Sequence, residues 1–438
     1  MQPKIYLPLA KLEECAVCHS KKSPRLCAAC NERTYCSPKC QKDDWPDHKP
    51  VCGKTDKLGL DKFYPFIACM AGAAHMHNAK PAHPALRRVI VNRPNPGTRP
   101  VGFPDGSAAN LVILGEPLRD QSEMGSATWW PGALTDKVRS KFFRRIANEG
   151  GTLPILTAVC LALLSEIYTT TAEGKTRRRT RLAYKSSPIA DFGIAAGSAK
   201  VTSQDRLAYL IGGDGDTDPE AGMFFGGQDP NDHYWLYFTT IRGETVTLDC
   251  GMFTWNNCIA VDAAPYSTNV KGLPPMGLGW MPAFWREREM DGSTPEMYTE
   301  RIRASVLRNQ QLQDVVETAG PEGHESRHVG IVSRFMQGLA RREMSQEELG
   351  FAFAILYQNE AALRDVVATR RWEQWPDSPQ MGIEMDPQEV AENALDDDEA
   401  WAKYLRKFKK AKKAGADREE LNEAFKKWQR KQETKRRQ

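Results

Sequence analysis

The sequence predicts a small zinc-binding module, then a mixed α/β domain, then a helical C-terminal region. Three observations support this fold class. Seven of the eleven cysteines fall within residues 15–52. Residues 234–248 are rich in aromatic and β-branched residues around an Arg242-Gly243 turn, which is typical of a β-hairpin. From residue 295 onward, apolar residues recur at helical spacing.

The N-terminal module carries eight residues of the types that bind Zn²⁺. They form four pairs, with two or three residues between the members of each pair: Cys15, Cys18, Cys27, Cys30, Cys36, Cys40, His48 and Cys52. Eight such ligands make two complete tetrahedral sets, as structural zinc requires. The spacing alone leaves open whether the pairs combine sequentially or interleave.

This pattern resembles the MYND-type zinc finger at every ligand spacing, and segments 35–41 and 44–49 are similar to that family too. The resemblance implies two cross-braced structural zinc ions. The implied ligand sets are Cys15, Cys18, Cys36 and Cys40 for one ion, and Cys27, Cys30, His48 and Cys52 for the other. It also implies that the finger binds short, often proline-containing peptides of partner proteins. Gln41 and Trp45 are candidates for that surface; the alternative is that Trp45 packs inside the finger.

A disulfide framework is the alternative interpretation of the same cysteines. The N-terminal residues lack the apolar core of a secretory signal, so we expect an intracellular protein, in the cytoplasm, the nucleus or both. A reducing compartment favours metal over disulfides. Because every coordination position is filled by the protein, no site stays open for water, and both zinc ions are expected to be structural.

Length and composition bound the rest of the chain. Its 438 residues predict two to four domains, and 41% hydrophobic with 26% charged residues is ordinary for a globular protein. No stretch approaches the ~18 apolar residues of a membrane span, so no membrane partner is expected. We predict the finger at 1–54, an α/β body at 55–295, a helical region at 296–383, and an acidic segment followed by a basic helical hairpin or tail at 384–438.

Local patterns predict the individual elements. The run Leu153–Tyr168 is apolar on all sides and predicts a buried helix. Other predicted helices cover residues 63–77, 135–149, 298–312, 328–341, 346–357 and 359–369. Predicted strands cover residues 89–91, 111–114, 194–196, 207–211, 234–241 and 245–248.

The last part of the chain is divided by charge. Residues 384–400 contain eight acidic and no basic residues, whereas residues 403–438 contain fifteen basic and five acidic residues. Apolar residues at helical spacing on either side of an Ala414–Ala416 turn predict a helical hairpin. The basic residues also make nucleic acid an alternative partner, because Lys and Arg clusters bind phosphate backbones.

An enzyme is the alternative to a binding protein. Three residues have the order found in transglutaminase-like and papain-like cysteine enzymes, which this part of the chain weakly resembles. They are Cys160 on the apolar helix, His233 before one strand and Asp249 at the end of the next strand. In such a site a histidine deprotonates the thiol and a carboxylate orients the imidazole. Cys160, however, lies about two turns into its helix, away from the N-terminus where the dipole lowers a thiol pKa. The sequence therefore favours an intracellular zinc-binding adaptor without catalytic residues, with a cysteine enzyme, intact or degenerate, as the second interpretation.

Overall fold

The computed structural model describes most of the chain. It covers residues 3–50, 52–94, 100–103, 106–133, 135–169, 179–212, 222–275, 278–287, 297–319 and 324–384, and the single positions 407, 410, 411, 414, 420 and 427. Residues 1–133 and 142–384 form one compact unit, and residues 134–141 and 385–438 are assigned to a second. The predicted acidic segment and basic hairpin lie almost entirely outside the described residues.

The described residues form eight α-helices and seventeen β-strands. The helices are α1 (Pro38–His48), α2 (Leu60–His75), α3 (Asp136–Ala147), α4 (Thr152–Ile167), α5 (Ala264–Ser267), α6 (Gln310–Thr318), α7 (Ser326–Ala340) and α8 (Gln346–Thr369). The strands are β1 (Arg25–Leu26), β2 (Thr34–Tyr35), β3 (Thr55–Gly59), β4 (Arg88–Ile90), β5 (Val101–Gly102), β6 (Ala108–Pro117), β7 (Arg179–Tyr184), β8 (Ser187–Ala199), β9 (Leu207–Ile211), β10 (Phe224–Gly226), β11 (His233–Thr240), β12 (Thr245–Asp249), β13 (Ile259–Asp262), β14 (Trp280–Pro282), β15 (Phe284–Glu287), β16 (Tyr298–Ser305) and β17 (Met381–Ile383).

The strands form four sheets. A two-stranded sheet, β1-β2, belongs to the finger. The largest sheet has seven strands in the order β15-β12-β11-β8-β7-β3, with β16 also paired to β8. A five-stranded sheet has the order β10-β9-β6-β4, with β5 paired to β6, and a three-stranded sheet has the order β14-β13-β17. The large sheet holds the predicted β11-β12 hairpin in register, with Leu236 opposite Leu248.

Helix α4 is the centre of the body. All of its residues are buried except Thr152 and Ser165, as its uniformly apolar sequence predicts. It packs against α8, α2 and the strands of the large sheet. Large aromatic side chains complete this core; Phe192 and Phe238 on adjacent strands lie 6.1 Å apart between ring centroids.

Among the described residues, one predicted helix has the wrong type, two predicted helices are one, and the other predicted elements keep their type. Residues 298–312 were expected to be one helix, but Tyr298–Ser305 is strand β16, and the helix α6 begins at Gln310. Pairing with β8 from Tyr298 to Ser305 overrides the local helical pattern, because the sheet satisfies the backbone groups of this segment. The two helices expected over 346–357 and 359–369 are one continuous helix, α8, in which Asn359 is buried.

Within the part of the chain that the structure describes, no single helix has the length and apolar composition to cross a membrane. One pair, α3 and α4, meets the criterion of length and composition together but is bent by 75°.

Candidate metal centres

The ligands of the finger are positioned by two short strands and one helix. Strands β1 and β2 pair antiparallel, so the cysteines that precede β1 lie close to the cysteine that follows β2. Helix α1 begins after Ser37, whose hydroxyl accepts a hydrogen bond from the backbone N–H of Cys40 at 3.3 Å. A serine cap followed by Pro38 at the first helical position is a common way to start a helix. Both Cys40 and His48 project from this helix.

One cluster is formed by four cysteines. The sulfur of Cys18 lies 3.4 Å from that of Cys36 and 3.7 Å from that of Cys40, and the sulfurs of Cys36 and Cys40 are also 3.7 Å apart. Cys15 completes the set, with all four sulfurs within 4.8 Å of one another. The cluster therefore joins the first and third ligand pairs of the sequence.

The other cluster joins the second and fourth pairs. The sulfurs of Cys27 and Cys52 lie 3.7 Å apart, and the sulfur of Cys30 lies 3.4 Å from His48 Nε2. These four ligand atoms also lie within 4.8 Å of one another. Burial raises the pKa of the Cys30 thiol to about 12, so metal binding must displace its proton.

The geometry of both clusters fits zinc. Sulfurs at the corners of a tetrahedron with Zn–S bonds of ~2.3 Å are ~3.8 Å apart, close to the distances found here. The interleaved pairing means that α1 supplies ligands to both ions, so the sites are cross-braced. Disulfides are not formed by any of the eleven cysteines. Among the described residues no further group of histidine, cysteine or acidic side chains has the geometry of a metal site.

A network without metal also joins the hairpin of the finger to α1. The guanidinium of Arg33 donates two hydrogen bonds to Asp44, at 2.7 and 2.6 Å, and the Tyr35 hydroxyl donates one at 2.6 Å. Burial alone would raise the pKa of Asp44, but these donors hold it below its usual value. This network has no signal in the sequence, because a buried acidic residue beside an exposed tryptophan follows no hydrophobic period.

Trp45 lies on the outside of the finger. Its side chain is 41% exposed, and its ring makes an edge contact with the ring of the zinc ligand His48, 6.1 Å away. The alternative that Trp45 packs inside the finger is therefore wrong. Gln41 is half-buried one helical turn earlier, on the same face of α1.

The finger contacts the body through its second ligand turn. Thr55 donates a hydrogen bond of 2.9 Å to Glu32, and the guanidinium of Arg181 lies 3.4 Å from the same carboxylate. Asn31 donates to the backbone carbonyl of Ser186 at 3.1 Å. A small cavity of about 20 Å³ lies between these residues. This contact has no signal in the sequence, because Asn31 and Glu32 are ordinary turn residues.

The three residues of the enzyme alternative are only partly brought together. His233 Nε2 lies 2.6 Å from Asp249 Oδ2, and both side chains are buried. Cys160 is fully buried in the core, and burial raises the pKa of its thiol. It lies eight residues, or ~12 Å along a helix, beyond Thr152, whose side chain lies beside the pair. Cys160 is therefore a core residue.

The comparisons with known proteins agree with the geometry of the finger. The MYND finger family model matches residues 15–52. A Drosophila melanogaster protein, the zinc finger MYND domain-containing protein 10 homolog, is 51% identical over 41 residues, which are 9% of this chain and 9% of that protein. The similarity thus covers only a small part of either chain. No solved structure matches this chain.

The spacing, the interleaved clusters and the family match lead to one conclusion about the N-terminal part of the chain. Residues 15–52 are a MYND-type zinc finger that binds two structural zinc ions.

Proposed function

We propose that this protein is an intracellular adaptor whose MYND finger binds a short peptide segment of a partner protein. MYND fingers are generally protein-interaction modules. The observation that carries the proposal is the exposed Trp45 on a finger whose eight ligands leave no open coordination position. Such a finger offers a surface for binding and no metal position for chemistry.

The surroundings of Trp45 suit peptide recognition. An exposed tryptophan is among the residues that most often dominate the binding energy of an interface. The Trp45 ring is braced against His48, and α1 is fixed at both ends by zinc ligands, so little side-chain freedom is lost on binding. Gln41 on the same face can donate to, and accept from, a peptide backbone. A proline-containing segment suits this site, because aromatic surfaces bind the pre-formed extended helix of such peptides.

A peptide-display selection on the full-length, zinc-loaded protein tests the proposal. We expect it to enrich proline-containing peptides, and Trp45→Ala to weaken their binding at least ~10-fold, about 1.4 kcal/mol. Zinc content should stay at two ions per chain, because Trp45 is not a ligand. Trp280→Ala is the matched control: this tryptophan is 37% exposed, lies in the body, and should leave binding unchanged. Peptides that bind Trp45→Ala as tightly as the unmodified protein would refute the proposal.

A further inference from the structure

The body holds a buried histidine–carboxylate pair that the finger does not use. Asp249 Oδ2 lies 2.6 Å from His233 Nε2 and accepts a hydrogen bond of 2.8 Å from the Tyr298 hydroxyl, while its Oδ1 accepts the backbone N–H of Gly251 at 2.8 Å. His233 and Asp249 are each 3% exposed. These bonds fix the carboxylate, and the carboxylate in turn fixes the imidazole through Nε2. Nδ1, the other nitrogen of His233, has no hydrogen-bond partner among the described residues.

The first residue of α4 lies beside this pair. A Cβ atom placed on Gly251 would lie 3.2 Å from His233 Cε1, 3.6 Å from Asp249 Oδ1 and 3.6 Å from Thr152 Cγ2. The three side chains therefore surround one point. Thr152 is partly exposed at the first position of α4, a helix in which only Ser165 is also not buried. The methyl carbon Cγ2 of Thr152 faces this point, and a rotation about χ1 brings the hydroxyl there.

The chain turns sharply just before Thr152. Gly150 and Gly151 both have positive φ angles, 70° and 74°, which only glycine adopts without strain. The turn is held in place by a 3.0 Å hydrogen bond from the Gly150 N–H to Gln228. A side chain on Gly151 would also approach Phe351 to 3.1 Å. The first backbone N–H groups of α4 have no acceptor within the helix, so they are donors for developing negative charge.

We propose that Thr152, His233 and Asp249 form a nucleophile–base–carboxylate site that acts on acyl compounds. Thr152 occupies the position at the helix N-terminus that Cys160, two turns further on, cannot reach. His233 is the base, through Nδ1. Asp249 is a positioning residue that holds the imidazole through Nε2 and stabilises its protonated form.

Besides the acyl compound and water, the reaction requires only groups of the chain. Nδ1 of His233 removes the proton of the Thr152 hydroxyl as its oxygen bonds to the acyl carbon. The bond from that carbon to the leaving group then breaks, and the leaving group takes the proton from His233. Water then attacks the acyl carbon while Nδ1 of His233 takes its proton. The bond from the acyl carbon to the Thr152 oxygen breaks, and that oxygen takes the proton from His233, which restores the Thr152 hydroxyl.

The walls of the site favour an acyl donor with an apolar part. The His233 ring lies 4.8 Å from the ring of Trp255 and 5.8 Å from that of Tyr298, to which it is stacked. Trp235 lies 5.7 Å away. No charged side chain besides Asp249 is within hydrogen-bond distance of His233 among the described residues. A neutral ester or amide therefore suits the site better than an ionic substrate.

The full-length protein with the chromogenic ester p-nitrophenyl acetate provides the test. We expect release of p-nitrophenol together with one acetyl group on the peptide that contains Thr152. Thr152→Val, which keeps the shape but removes the hydroxyl, should abolish the acetylation of this peptide, and Thr152→Ser should retain it. His233→Gln should slow it by ~10²-fold or more. Thr157→Ala is the matched control, since this threonine lies one turn further on in α4, is buried, and should leave the reaction unchanged.

Each outcome decides the proposal. Acetylation at Thr152 that depends on His233 supports it. No acetylation of the unmodified protein, or equal acetylation in Thr152→Val, would overturn it. Thr152→Cys with a thiol reagent at mildly acidic pH gives a second measurement. If the thiol at position 152 reacts no faster in the folded variant than in the denatured variant, His233 does not activate this position. That result would also overturn the proposal.

Discussion

The finger and the body of this protein are ordered by different forces. The buried apolar cluster of the finger consists of three zinc-binding cysteines and Tyr35. The body buries a cluster that extends from Leu58 to Trp375 and includes nearly all of α4. A region of about fifty residues buries too little apolar surface to offset its loss of conformational entropy, whereas the body buries enough. In the finger, the metal therefore supplies the folding free energy that side-chain packing supplies in the body.

Removal of zinc should have the largest effect and should be confined to the finger. Each structural zinc contributes ~10–16 kcal/mol of apparent binding energy to folding. Elemental analysis should give two zinc ions per chain. Cys36→Ser should lose the ion bound with Cys15, Cys18 and Cys40, and should loosen the other, because α1 carries ligands of both. Exposure to a chelator, followed by thermal unfolding, should leave the body with a cooperative transition.

A cysteine of the body provides the control for this experiment. Cys258 is buried outside the finger, so Cys258→Ser should keep both zinc ions. A stoichiometry of one zinc ion in the unmodified protein would contradict the cross-braced arrangement.

A cavity in the core of the body should destabilise the body and leave zinc binding unchanged, the opposite of the effect of zinc removal. Phe238 is fully buried in the large sheet against Phe192. Phe238→Ala should lower the free energy of unfolding by ~3–5 kcal/mol, because the lost contacts leave a cavity. Zinc content should remain at two ions per chain. Loss of zinc in this variant would show that the finger depends on the body for its fold.

The contact between the finger and the body should contribute less to the free energy of unfolding than the interior of either region. Glu32 faces both Thr55 and the buried Arg181. Glu32→Gln preserves the shape and the hydrogen bond from Thr55 but removes the charge beside Arg181, and should cost ~1–2 kcal/mol. Glu13→Gln, on an exposed glutamate near the finger, is the matched control and should cost less than ~0.5 kcal/mol. Thermal unfolding of both variants measures the difference. Equal stability of both variants would indicate that the finger and the body are energetically independent.

The smallest predicted effect depends on pH and belongs to the body alone. Burial, and then the nearby Glu166, raise the pKa of Glu360 from 4.5 to about 7; Ser165 and Arg364 oppose the shift. The folded state thus holds a proton that the unfolded state loses, so stability should fall as pH rises from about 4.5 to about 7. Glu360→Gln should remove this part of the pH dependence and raise the melting temperature at pH 8 by roughly 1–3 °C.

The control for this variant is an exposed glutamate on the same helix. Glu347→Gln should leave the difference in melting temperature between pH 5 and pH 8 unchanged. If Glu360→Gln behaves in the same way, Glu360 is ionised in the folded protein at neutral pH.

The sequence by itself determined the finger and the elements with a strong local period. Zinc ligands are recognised by residue type and spacing, and these are local properties of residues 15–52. The buried helix α4 and the β11-β12 hairpin were likewise predictable, because a uniformly apolar run and a β-rich run around a Gly turn have few alternative structures.

Only the tertiary structure decided the pairing of the ligands and the neighbours of distant residues. The interleaving of the ligand pairs depends on how the β1-β2 hairpin folds onto α1. Strand β16 forms where the local pattern indicated a helix, because β8 offers it backbone partners. Thr152 rather than Cys160 lies beside His233 and Asp249, because the direction of α4 across the sheet brings its first residue there. Contacts between residues far apart in the chain depend on three-dimensional packing. The spacing of residues along the sequence does not reveal these contacts.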